Sequence, residues 1–339
     1  MASRYPFVHA RGAPREMGRQ IGEQLRDYIP PILEELKIPE NYSKPAHHEQ
    51  GRRLLGNMCR DAPHLAEEME GIAEGSGIPF ETILTYNSIA EMWRAEGCTD
   101  VGFADAPEGV VIGKTNDIGE HNAHYHIPHL VKPERGDRML FFTWPGTVWV
   151  NAGVNESGLG IASASVASTE MEPEGVISNS VYRLAIERAR DVREGLRFLH
   201  EVRFMCHPFN VVIGDAAGGL AAVERAVFKM AVRRPEGGAV YAANHWEEAE
   251  TAPLCTIPEP VLSNSKRRHE NLRRLASTVP HTVEGMMSII RDHNARGGVC
   301  QHGDAGMHSS AGYVVVPGQR RIWFAYGRPC EVEFEAYEL

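Results

Sequence analysis

Glu96-Gly97-Cys98-Thr99-Asp100 divides the chain in two. The residues before it carry helical periodicity, and those after it alternate like strands. If the Gly97–Cys98 bond breaks, Cys98 becomes a new N-terminus. It then holds a thiol and an α-amine in one residue. A thiol nucleophile ordinarily needs a base delivered by the fold, and here covalent geometry supplies one. An α-amine titrates near pKa ~7.7–8, so at neutral pH it can take a proton and return it. The plain alternative is a buried structural thiol, since free cysteine packs as a small apolar residue. The place of Cys98 at a boundary in composition sets it apart.

Working outward, the bulk numbers bound the classes. The 339 residues suffice for one large domain or two ordinary ones. A formal charge of −10 argues against a nucleic-acid partner, which would call for a basic face. The opening Met-Ala-Ser-Arg-Tyr-Pro-Phe has no apolar run of the secretory kind. No stretch reaches the ~18 apolar residues of a membrane span. Cys59, Cys98, Cys206, Cys255, Cys300 and Cys330 are scattered with no Cys-Xaa-Xaa-Cys pair. That usage fits a reducing cytoplasm better than a disulfide framework.

Residues 1–97 read as a helical leader. Pro14 opens a helix, and Met17, Ile21, Leu25 and Ile29 recur every four residues as one apolar stripe. Gly18 and Gly22 share a face that allows a neighbour close. A short helix is expected over Leu54–Cys59. Another starts at Pro63 and stops at Gly75-Ser76-Gly77, and a last one spans Phe80–Trp93. Residues 98–339 read as a second unit. Thr99–Ala104 and Val110–Asp117 form a hairpin that returns Asp117 towards Cys98. Further strands are expected at 138–143, 147–152 and 159–166, with Gly153–Gly160 as the turn between the last two. Then come a helix over 178–204, a hairpin at 210–224 and a short strand delivering Asn244-His245-Trp246. Helices over 264–276 and 282–293 precede closing strands at Tyr313–Val316 and Ile322–Tyr326. This order of strands, helix, strands, helices and strands fits an α+β layered sandwich.

Several motifs in this order resemble one family. They are Gly12–Gly18, the Glu68–Gly75 run, Gly97-Cys98-Thr99, Gly113-Lys114-Thr115-Asn116-Asp117, Gly153–Leu159, Ala243-Asn244-His245 and Gly327-Arg328-Pro329-Cys330. Together they resemble the acyl-coenzyme A:6-aminopenicillanate acyltransferase family of N-terminal-nucleophile cysteine hydrolases. The resemblance implies an αββα fold, two stacked antiparallel sheets between helical layers. It implies self-cleavage at Gly97–Cys98, with the leader (1–97) as a small chain that stays bound to the catalytic chain (98–339). It also implies amide hydrolysis or acyl transfer on a small-molecule substrate, with no metal and no other cofactor.

Cys98 is then the nucleophile. By analogy with the family's Asn-His motif, Asn244 donates to the oxyanion. Asp117 holds the α-ammonium or orients the nucleophile, and Asn116 can share that role. Asn116, His121, His245 and Ser309 are candidate substrate contacts, with Ser310, Arg296 and the Cys300-Gln301-His302 stretch as weaker ones. His121, His124, His126 and His129 crowd the segment after Asp117, a departure from the family pattern. With Asp117, Glu120 or Asp137 they also compose a rival reading, a metal hydrolase. A further rival is a non-catalytic, ligand-binding relative. Hydrolase and acyltransferase share the first half-reaction. Hydrolase is preferred because water is always present and no coenzyme A site is visible.

Overall fold

A computed structural model describes residues 6–38, 40–89, 97–118, 125–204, 207–294 and 297–339. Among these the backbone forms two sheets. In the first the strand order is β1-β4-β5-β6-β7-β8-β9-β10, and in the second β11-β2-β3-β12-β13-β14. The first sheet uses β1 (Val8–Gly12), β4 (Ile127–Pro133), β5 (Met139–Thr143), β6 (Ala152–Asn155), β7 (Leu159–Ser165), β8 (Phe209–Asp215), β9 (Leu220–Arg225) and β10 (Met230–Arg233). The second uses β2 (Gly97–Ala106), β3 (Gly109–Ile118), β11 (Ala239–Ala242), β12 (His308–Val316), β13 (Arg321–Tyr326) and β14 (Phe334–Glu338).

Alternation along the strands builds the layers. Val110 and Ile112 of β3 join Leu140, Phe142, Val212 and Tyr313 in a core between the sheets. Val101, Phe103 and Val111 point the other way, onto α8 (Val261–Ala276) and α9 (Val283–Arg291). The outer face of the first sheet is covered by the leader helices and by α6 (Ser180–Arg188) and α7 (Val192–Glu201). The result is the expected αββα sandwich.

The leader is not wholly helical. Its β1 pairs in parallel with β4, while the other strand pairs run antiparallel. Its helices are α1 (Pro14–Gln24), α2 (Ile29–Glu35), α3 (Pro45–Asp61), α4 (Pro63–Ser76) and α5 (Phe80–Ser88). Helix α3 runs far beyond the expected Leu54–Cys59 segment. The residues expected to extend α5 to Trp93 lie outside the described set. Helices α1 and α4 cross at backbone contact. A Cβ on Gly18 would sit 2.0 Å from Glu68 O, and one on Gly71 would sit 2.1 Å from Arg15 O. The glycine spacing legible in α1 thus marks a real close approach.

Three other expectations shift. The strand expected at 147–152 begins at Ala152, because Val148 N–H donates to Asn87 Oδ1 of leader helix α5 at 2.9 Å instead of to a strand. Gly153–Asn155 accordingly belongs to β6 and not to the turn. The helix expected over 178–204 breaks at Ala189, which is extended, and Asp191 then caps α7 by accepting from Glu194 N. Strands β4, β10 and β14 were not expected from the sequence, and β14 is largely solvent-facing.

Candidate active site

Cys98 lies near the start of β2, a strand flanked on both sides by β11 and β3. The register sets Gly97 against Asp117, Cys98 against Asn116 and Asp100 against Lys114. Because side chains alternate, Cys98, Asp100, Lys114 and Asn116 share the face between the sheets. Gly102, on the same face, packs against Leu220 and Val212 of the first sheet. Thr99, Thr115 and Asp117 occupy the opposite face, under α8.

On the inter-sheet face, Cys98 Sγ lies 3.8 Å from Asn116 Oδ1. The Lys114 ammonium donates to the Ser163 carbonyl of β7, and the charge of Cys98 on the same face is felt at it. The ammonium also meets Asp100 at 3.7 Å, an ion pair beyond hydrogen-bond distance, and neither Asp100 oxygen has a hydrogen-bond partner among the described residues. Burial opposes the charged Lys114, yet the negative charges of Cys98, Asp100 and Asp117 outweigh it and raise its pKa. Burial pushes the Asp100 carboxyl up to about 6 against the pull of Lys114.

Helix α8 delivers the other half of the site. Arg268 is fully buried. It donates to Cys98 O at 2.5 Å, Thr99 Oγ1 at 2.8 Å, Asn244 Oδ1 at 2.6 Å and Asn264 Oδ1 at 2.8 Å. Asn244 follows β11. Its Oδ1 accepts Cys98 N–H at 2.9 Å, its Nδ2 donates to Ser165 O at 2.9 Å, and its N–H donates to Ser265 Oγ of α8 at 2.8 Å. The backbone nitrogen and carbonyl of Cys98 are thus gripped by one amide and one guanidinium. Asp117 accepts from Ser309 Oγ at 2.5 Å and from Thr115 Oγ1 at 3.3 Å. Burial is the main cause that pushes its carboxyl up to about 6, with Arg268 pulling the other way.

The structure therefore gathers Cys98, Gly97, Asn116, Asp117, Asn244 and Ser309 around one stretch of β2 and β3. Ser310 donates to Asn116 O at 3.0 Å and meets His126 Nε2 at 3.1 Å. His245 belongs to a different set of contacts, with Ser265 Oγ at 2.8 Å and the His269 ring. Burial holds it neutral, down to about 4. His121, His124, Glu120 and Arg296 lie outside the described residues. His126 and His129 do not form a metal-ligand set among the described residues. His126 is built into the wall with Tyr313 Oη at 2.7 Å, and His129 stacks on Phe141.

Two residues escaped sequence reasoning. Lys114 was within reach of it: counting by twos from Asn116 puts it on the face of Cys98. Arg268 stands in the run Lys266-Arg267-Arg268, which reads as a solvated surface. Its signal is helical spacing, since Asn264, Arg268, Leu272 and Leu275 are all buried.

Residues 105–329 match the family model of acyl-coenzyme A:6-aminopenicillanic acid acyl-transferase. The chain belongs to this family. The matched range holds Lys114, Asp117, Asn244 and Arg268 and begins after Cys98. An uncharacterized protein of Archaeoglobus fulgidus is 23% identical over 288 residues, covering 73% of this chain and 47% of that protein. The chain thus spans about half the length of that relative. Among solved structures, penicillin V acylase from Agrobacterium tumefaciens aligns with a TM-score of 0.44 at 12% identity, covering 68% of this chain and 83% of that one. A Caenorhabditis elegans ortholog of N-acylethanolamine-hydrolyzing acid amidase aligns with a TM-score of 0.46 at 11% identity, covering 65% and 93%. Among the described residues no helix is long and apolar enough to cross a membrane.

Proposed function

We propose that this family member is a self-processing cysteine amidohydrolase whose nucleophile is Cys98 after cleavage at Gly97–Cys98. The observation that carries the reading is the grip on the Cys98 backbone by Asn244 and Arg268, with Lys114 beside the thiol.

Maturation uses the same groups. Cys98 Sγ attacks the Gly97 carbonyl carbon, and the tetrahedral adduct collapses by breaking the C–N bond. The acyl group passes from N to S. Water then hydrolyses the thioester, leaving a Gly97 carboxylate, a free thiol and the Cys98 α-amine. Cys98 is only 3% exposed in the intact chain. Release of Gly97 from its pairing with Asp117 opens the site to a small-molecule substrate. The leader stays bound as the small chain, held by the buried Glu68–Arg183 pair at 3.0 Å and by the parallel pairing of β1 with β4.

In turnover, Sγ attacks the substrate carbonyl while the α-amine takes the thiol proton and passes it to the departing amine. Lys114 favours the thiolate through its charge. Asn244 Nδ2 serves as the side-chain donor to the oxyanion. Asp117 stands across from Gly97, on the face opposite Sγ. Of its two candidate roles, holding the new α-ammonium is the one this position supports, and Asn116 faces the sulfur. Water resolves the thioester. The free thiols of Cys59, Cys98 and Cys255 support a reducing compartment such as the cytoplasm.

The test is single-turnover trapping on a panel of N-acyl amides and thioesters. The reading expects a thioester on the peptide that starts at Cys98, then free acid in water. Acyl transfer to an added amine in preference to water makes the enzyme an acyltransferase. Acyl release undiminished in Cys98→Ala would overturn the reading.

A further inference from the structure

Two cysteines and two histidines that this chemistry leaves unused converge beside the second sheet. Cys300 and His302 lie between α9 and β12, Cys330 follows β13, and His293 follows α9. Cys300 Sγ is 3.5 Å from Cys330 Sγ. His302 Nε2 is 3.1 Å from Cys330 Sγ and 3.7 Å from Cys300 Sγ. The donor atoms of His293, His302 and Cys330 lie within 4.8 Å of one another. His293 Nδ1 meets Arg291 O at 3.1 Å. A backbone carbonyl on one ring nitrogen turns the lone pair of the other to a metal, the usual outer-shell arrangement of a ligating histidine.

We propose that Cys300, His302, Cys330 and His293 bind one zinc ion in a structural site distinct from the Cys98 centre. Zinc bonds of about 2.3 Å to sulfur and 2.0–2.1 Å to nitrogen place the ligand atoms of a tetrahedron about 3.3–3.8 Å apart. The separations of 3.5 and 3.7 Å fall in that range and that of 3.1 Å just below it, while His293 stands within 4.8 Å of His302 and Cys330 and closes in as the ion binds. Thiolates with imidazoles select zinc over the hard cations magnesium and calcium. Binding converts both thiols to thiolates and releases two protons to solvent. A Cys300–Cys330 disulfide is the competing use of the pair, but it would need an external oxidant and would leave the two histidines without a role.

The site would brace the wall of the catalytic centre. Gln301, between two of the ligands, donates its N–H to Ser309 Oγ at 2.8 Å and accepts from Ser309 N at 3.0 Å. Ser309 Oγ in turn holds Asp117. The metal thus pins three separate segments, the end of α9, the 300–302 segment and the residues after β13, behind the carboxylate opposite Gly97.

The test uses the full chain in a Cys98→Ala background, so that the proposed nucleophile supplies no sulfur and the outcome is independent of the catalytic reading. Metal-stripped, reduced protein is titrated anaerobically with Zn2+ and with Co2+. The expected result is one zinc per chain by elemental analysis, and cobalt spectra with sulfur-to-metal charge-transfer bands and tetrahedral ligand-field bands. Cys330→Ser should weaken the charge-transfer bands. His293→Ala, at an exposed position that leaves folding unaffected, should weaken zinc binding at least about tenfold, since even an outer-shell partner is worth that much. Overturning results are zinc lost on dialysis, zinc bound equally well by both variants, or cobalt spectra without sulfur bands. A native Cys300–Cys330 disulfide whose reduced form binds no zinc would likewise replace the metal site with a redox pair.

Discussion

Arg183 and Arg268 are both fully buried, and they are solvated in opposite ways. Arg183, on α6, meets Glu68 at 3.0 Å and Glu187 at 2.5 Å, with its guanidinium 4.8 Å from the Phe141 ring centre. Burial works against its charge, but the two carboxylates more than offset this and raise its pKa. Arg268 meets only neutral oxygens among the described residues, and burial lowers its pKa despite the pull of Asp117, Cys98 and Asp100. The first arginine is paired as a core demands. The second donates only to neutral oxygens, beside a residue where negative charge is proposed to develop. Departures of this kind belong at functional sites.

The comparison can be broken in several ways. The largest effect is expected at the residue Arg268 faces: Cys98→Ala should abolish chain cleavage and lower acyl release by roughly 10⁶-fold, the scale of losing a nucleophile. The two arginines should then separate by readout. Arg183→Met takes the cation from buried Glu68 and leaves Glu187 with His64 alone, and denaturant unfolding should show a loss of about 3–5 kcal/mol with kcat per folded molecule retained. Arg268→Met should instead cost about 10²–10³ in kcat with a smaller stability change. In that variant Asp117 and Asp100, already near pKa 6, take up protons. If both variants lose stability alike and neither loses kcat, the contrast is empty.

A pH series sharpens it further. A carboxyl held above its unfolded value binds its proton more tightly in the folded chain. The stability contributed by protonated Asp117 is therefore intact below about pH 4 and is lost as pH rises through about 6. Asp117→Asn removes that loss. Its stability relative to wild type should rise from pH 4 to pH 7 by about 3 kcal/mol, measured by denaturant titration at each pH. The smallest effect is expected in the leader: Gly71→Ala forces a Cβ against Arg15 O and should lower stability by about 1–3 kcal/mol. Acyl release per folded molecule should not change.

The same contrast explains what the sequence could show. Cys98 was legible from its place at a composition boundary, the return of Asp117 and Asn116 towards it because a hairpin follows from alternation, and Gly18 and Gly22 because helical spacing predicts a shared face. Asn244 was reached only through family resemblance, since an asparagine after a strand is unremarkable by itself. Arg268 was hidden because a basic run on a helix reads as solvated, and only packing shows which arginine turns inward. The Cys300–Cys330 approach joins residues thirty positions apart through β12 and β13, a separation no local pattern encodes. The β1–β4 pairing was hidden likewise, because parallel partners distant in sequence leave no turn between them.

The most direct test of the central claim is the intact mass of freshly purified wild-type protein under denaturing conditions. Two chains, residues 1–97 and 98–339, are the predicted result, with Cys98→Ala remaining whole. A single uncut wild-type chain that still turns over amides would contradict the assignment of Cys98 as an N-terminal nucleophile.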